Sequence, residues 1–62
     1  MDLPADLSAP ARRALVGAGY TTVEQLASAT RRELLALHGF GPKALGPIRR
    51  DLAALGLDLA EG

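Results

Sequence analysis

The stretch Leu34-Leu35-Ala36-Leu37-His38-Gly39-Phe40-Gly41-Pro42-Lys43-Ala44-Leu45 decides the reading of this chain. An apolar helical segment runs into Gly-Phe-Gly, then Pro, Lys and a second apolar stripe. Two glycines flanking one large apolar residue predict a tight turn, because glycine takes φ > 0 at no steric cost. The Phe40 ring is expected to plug the core, with the amides around Gly39 and Gly41 facing outward. A helix starting just after them adds free N–H groups and a partial positive charge. Lys43 sits one turn into that helix. Together these form a seat for a phosphate.

Working outward, the same helix-turn-helix grammar recurs. Ser8 is expected to cap a first helix, with Pro10 in its first turn, where the missing N–H does no harm. Ala11, Ala14, Leu15 and Ala18 form its apolar stripe, and Gly17 and Gly19 end it. Thr22 with Gln25 forms a capping box for a short second helix; Thr21 with Glu24 is an equally good register. Val23, Leu26 and Ala27 are its expected buried face. Thr30 and Glu33 form another box, starting a third helix through about Leu37, with Leu34, Leu35 and Leu37 inward and Arg31 and Arg32 exposed. Leu45, Ile48, Leu52 and Leu55 make the inward stripe of the last helix, and Arg49 and Arg50 project away from it. Gly56 ends it, with Leu57 and Leu59 returning to the core. Pro47 interrupts this pattern, since inside a helix it clashes with a preceding carbonyl and removes a ladder bond. A single turn over Pro42 to Leu45 and a fresh start near Pro47 are expected. Leu15, Gly19 and Tyr20 are echoed twenty residues on by Leu35, Gly39 and Phe40, as though two hairpin-like units packed together. Residues 1–6 read as an extended lead-in, 7–59 as a single domain and 60–62 as a tail.

The 62 residues allow one small domain. Leu and Ala dominate the apolar content, which suits helices, and the scarcity of aromatic and β-branched residues argues against a sheet. With no cysteine there is no disulfide or thiolate metal site. No apolar run approaches the roughly 20 residues of a membrane span. The N-terminus lacks signal-peptide regions, so a cytoplasmic location is expected. Formal net charge is zero, yet all seven cations lie between Leu7 and Arg50, where the only acids are Glu24 and Glu33. A folded domain could therefore present a basic face.

The run Leu34 to Leu37, then Gly39-Phe40-Gly41-Pro42-Lys43 with Ala44 and Ile48, resembles a helix-hairpin-helix motif. Taken with Leu52-Ala53-Ala54-Leu55-Gly56-Leu57, the chain from Leu7 to Leu59 resembles the C-terminal domain of the bacterial RNA polymerase α subunit. That resemblance implies an all-α, compact four- to five-helix bundle with a helix-hairpin-helix core (a SAM-like fold). It also implies DNA binding by the start of the first helix and the hairpin together. The family's hairpin glycine and the lysine two places on stand here as Gly41 and Lys43. Its groove-reading arginine is replaced by Pro10, a supporting asparagine by Arg13, and the serine after the lysine by Ala44. Phosphate contacts therefore carry over in part, and sequence reading through the minor groove is not expected.

No enzyme is expected. His38 is the only histidine, and no carboxylate or cysteine stands at a spacing that would build a dyad. The expected function is DNA binding through the phosphate backbone, weak and largely sequence-independent, with a transcription-related role. The candidate contacts are Arg12, Arg13, Gly39, Gly41, Lys43 and Arg49. A phosphate contact by His38 would strengthen as pH falls, since histidine gains its charge in the mildly acidic range. No catalytic residue, metal, cofactor, small-molecule substrate or membrane partner is expected. The alternative is a helical protein-interaction module, or a structural subdomain of a larger assembly, without nucleic acid. Zero net charge, Pro10 and Ala44 favour that alternative.

Overall fold

Ser8 adopts an extended backbone, and its hydroxyl accepts from the Ala11 N–H at 3.3 Å, which starts helix α1, Ala9–Gly17. Pro10 stands in the first turn, as expected. Ala11 and Leu15 are buried and Ala14 half-buried. Ala18, expected on the stripe, is exposed, because the helix has already ended and Ala18 is its cap. The Tyr20 N–H donates to the Leu15 carbonyl at 2.9 Å and the Gly19 N–H to Val16 at 3.0 Å. With Gly19 at φ +94° this is a Schellman closure. It turns Tyr20 back against the core.

The computed structural model describes residues 1–61. Two more helices start on reciprocal caps. Helix α2, Val23–Leu26, opens on Thr22 with Gln25, and helix α3, Arg31–Leu35, opens on Thr30 with Glu33. The alternative box of Thr21 with Glu24 is not used. Val23 and Leu26 are buried, as is Ala29 between the two helices. Helix α3 is shorter than expected, and Leu35 is 36% exposed while Leu34 is fully buried. Successive helical residues lie about 100° apart, so a five-residue helix that aims Leu34 into the core turns Leu35 toward solvent. Leu37, beyond the helix, packs partly against the core.

Pro42–Ala44 form a 3-10 turn that leads directly into helix α4, Leu45–Ala54. The Ala44 N–H donates to Gly41 at 3.0 Å, and the Leu45 N–H to Pro42. The new helix thus starts two residues before the expected restart. Pro47 falls in its first turn, where a backbone N–H has no intrahelical acceptor in any case. Ile48 and Leu52 are fully buried and α4 packs against α2. Leu55, at 38% exposure, and Leu57, at 40%, are not inward as expected. The Leu57 N–H donates to the Leu52 carbonyl at 2.8 Å across Gly56, which returns the backbone while leaving both side chains outside. Leu59 does pack on the core.

The segment before α1 is more than a lead-in. Asp2 bridges Thr22 in antiparallel fashion, the Val23 N–H donates to the Met1 carbonyl at 2.9 Å, and Leu3, Pro4 and Leu7 are buried. At the other end Ala60 bridges Thr30; of the expected tail, Gly62 lies outside the described residues. Four helices and one 3-10 turn, with no strand among the described residues, enclose a single apolar cluster. The radius of gyration is 10.1 Å, close to the roughly 10.5 Å of a compact chain of this length.

Candidate nucleic-acid interface

After α3 the chain passes Ala36 and Leu37 into the hairpin. The Phe40 N–H donates to the Leu37 carbonyl at 3.1 Å, and Gly39, third in this turn, has φ +88°. A positive φ there is the requirement of a type II turn. The turn drives Phe40 into the core. Among the described residues, the backbone N–H groups of His38, Gly39 and Gly41 donate to no carbonyl. Neither does that of Lys43, the first donor of the 3-10 turn. Four main-chain donors are thus left at one bend, beside a turn of helix, which is the arrangement that seats an anion.

The two glycines differ. Gly39 alone supplies left-handed backbone to the expected tight turn, whereas Gly41 has φ −98°. A Cβ on Gly41 would meet nothing within 4 Å. A Cβ on Gly39 would lie 3.4 Å from the Pro10 carbonyl oxygen, so the hairpin abuts the first turn of α1.

Surface depressions lie on both sides of that Pro10–Gly39 contact. Lys43, Gly41 and Ser8 line one; Arg13, His38 and Ala14 line the other. Among the described residues no carboxylate lines either. The structure therefore brings together four of the candidate residues, Arg13, Gly39, Gly41 and Lys43. Arg12 and Arg49 line neither depression. The Arg12 guanidinium donates to the Pro4 carbonyl at 2.6 Å, fastening the N-terminal segment to α1. Arg49 pairs with Asp58 at 3.3 Å. Ser8 was not among the candidates, because only its cap role is visible in sequence; its position beside Lys43 depends on α1 meeting the hairpin.

Acids outside the basic stretch meet the arginines of α4. Arg50 holds Asp6 through two 2.9 Å contacts and Asp51 through one of 3.0 Å. The Arg50 bond holds the Asp6 carboxyl below its ordinary value. The Leu59 N–H, followed by Arg49, does the same for Asp58. Arg13 and Lys43 belong to none of the ion pairs among the described residues. Zero net charge thus conceals an uneven pairing, with uncompensated cations at the hairpin.

The first hairpin, between α1 and α2, offers a contrast. Its amides are occupied: Gly19 and Tyr20 donate into α1, Val23 to Met1, and Thr21 and Thr22 both to the Gln25 carboxamide oxygen, at 2.6 and 3.1 Å. Gly19 and Gly39 share a positive φ and are each followed by an inward aromatic. The twenty-residue echo is therefore a repeat of backbone shape, and at the bend itself it is the second copy whose donors stay open.

Residues 11–54 match the family described as SAM-like helix-hairpin-helix tandem. No curated protein and no solved structure matches the chain significantly. The family match spans most of the sequence and both hairpins, and the chain belongs to this family.

Proposed function

We propose that this helix-hairpin-helix domain binds DNA through the phosphate backbone, weakly and with little sequence preference. The observation that supports it is the set of open amides at His38, Gly39, Gly41 and Lys43, flanked by Arg13 and Lys43, with no acid among the described residues lining the two depressions. Helix-hairpin-helix motifs commonly bind nucleic acid. A phosphate held by backbone amides and two cations carries no base code, and Pro10 supplies no side chain to read a groove. The resemblance to the polymerase α C-terminal domain supports a transcription-related role.

With Arg12 and Arg49 engaged elsewhere, about 2–3 phosphates are contacted, so log affinity should fall against log salt with a slope of roughly −2 to −3. Lys43→Glu is expected to weaken binding alike for duplexes of different sequence, measured by fluorescence anisotropy. Unaltered affinity in that variant would contradict the proposal. A second reading, docking to a protein, is favoured by Leu55 and Leu57, exposed on either side of Gly56. It requires Leu55→Lys to abolish partner binding while Lys43→Glu leaves it intact.

A further inference from the structure

His38 is not accounted for by the hairpin's architecture. It is exposed, its N–H has no carbonyl acceptor, and its ring is not needed by the turn, which Gly39 and the Phe40–Leu37 bond define. Yet it lines a depression with Arg13, a residue from a different element twenty-five positions earlier. We infer that Arg13 and His38 form a second phosphate subsite, across the Pro10–Gly39 contact from Gly41 and Lys43, and that binding there takes up a proton on His38. This rests on the DNA-backbone reading and deepens it. The two subsites accept neighbouring phosphates of one strand, with the Gly39 backbone shared between them.

The charges facing this subsite fix the sign of the effect. From α1 the charged group lining it is Arg13, and Lys43 of the 3-10 turn lines the neighbouring depression beyond Gly39. Among the described residues no Asp or Glu lines either depression and His38 joins no ion pair, so no acid there neutralises a protonated imidazole. A phosphate supplies that counter-charge. Anion binding and proton uptake therefore reinforce one another, and by linkage each strengthens the other equally. Binding is tighter on the acidic side of the histidine range and weaker on the basic side. A charge-assisted hydrogen bond gained on protonation corresponds to roughly a tenfold change in affinity.

The test uses the whole chain and a short duplex without terminal phosphates, titrated at several salt concentrations at about pH 5.5 and about pH 8, on either side of the histidine range. The expected result is tighter binding at the lower pH, roughly tenfold, with a salt slope steeper by about one. His38→Gln should remove this pH step. Lys43→Gln should lose affinity at both pH values yet keep the step, and Arg31→Gln, which lines neither depression, should keep both. Thermal melts establish that each variant is folded. Lys43-dependent binding with no pH step, or a step that survives in His38→Gln, overturns the second subsite and leaves the DNA reading standing. Absence of binding at both pH values overturns both.

Discussion

An alanine at position 39 would bring its Cβ to 3.4 Å of the Pro10 carbonyl oxygen at a φ of +88°, whereas an alanine at 41 would meet nothing within 4 Å. Gly39→Ala should therefore lower stability by about 1–2 kcal/mol, through left-handed strain and the crowded α1 contact. Gly41→Ala should leave stability within about 0.5 kcal/mol but weaken DNA binding, because its methyl group would stand beside an open donor. Thermal denaturation and duplex titration on the same two variants separate the roles. If Gly41→Ala destabilises and Gly39→Ala does not, the assignment is reversed. The sequence shows the pair as equivalent, since nothing local reveals which glycine sits third in the turn and which begins the following one. Leu34 and Leu35 are indistinguishable in the same way. Leu34→Ala should cost about 2–5 kcal/mol as a fully buried site, and Leu35→Ala far less.

Helix starts were legible because their chemistry is local. Thr22 with Gln25 and Thr30 with Glu33 sit three residues apart, and each pair closes its box through bonds of 3.0 to 3.4 Å. Thr30→Ala should cost about 1 kcal/mol, read as a lower unfolding midpoint; an unchanged midpoint would mean that α3 is held by Leu34 alone. The ends of α1 and α4 were legible as well, at Gly19 and Gly56, whose positive φ closes each helix; the end of α3 and the direction of the last side chains were not, since those are set by packing. Leu55 continues the α4 stripe in sequence, but the helix stops at Ala54 and the backbone swings round Gly56. Pro47 was readable as a restart, though not as the first turn of a helix following a 3-10 turn. In the candidate site, Gly39, Gly41 and Lys43 were legible from spacing, while Arg12 and Arg49, which the fold engages elsewhere, were not separable from Arg13. Their partners, the Pro4 carbonyl and Asp58, lie eight and nine residues away and are met only on folding.

Across the whole molecule, folding sorts a neutral sequence into paired and unpaired charge. The pairs of Asp6 with Arg50 and Asp58 with Arg49 are exposed, so they steer charge more than they stabilise. Both carboxyls are held below their ordinary value of 3.8 in the folded state. A depressed folded value means their contribution is present above that value and lost as pH falls through the folded one. The unfolding midpoint should thus hold down to about pH 4 and decline below it, less steeply in Asp6→Asn and at high salt. A decline beginning near neutrality would assign the acid sensitivity elsewhere. Of the five cations that join no ion pair among the described residues, Arg13 and Lys43 border the open hairpin, while the first hairpin is closed by Gln25 and Met1. The most direct measurement is therefore an amide chemical-shift titration with a short DNA duplex at low salt. The expected result is fast-exchange shifts concentrated at His38, Gly39, Gly41, Lys43 and Arg13, with the Gly19–Val23 amides unmoved. Shifts centred on Leu55 to Leu57, or equal at both hairpins, would contradict it.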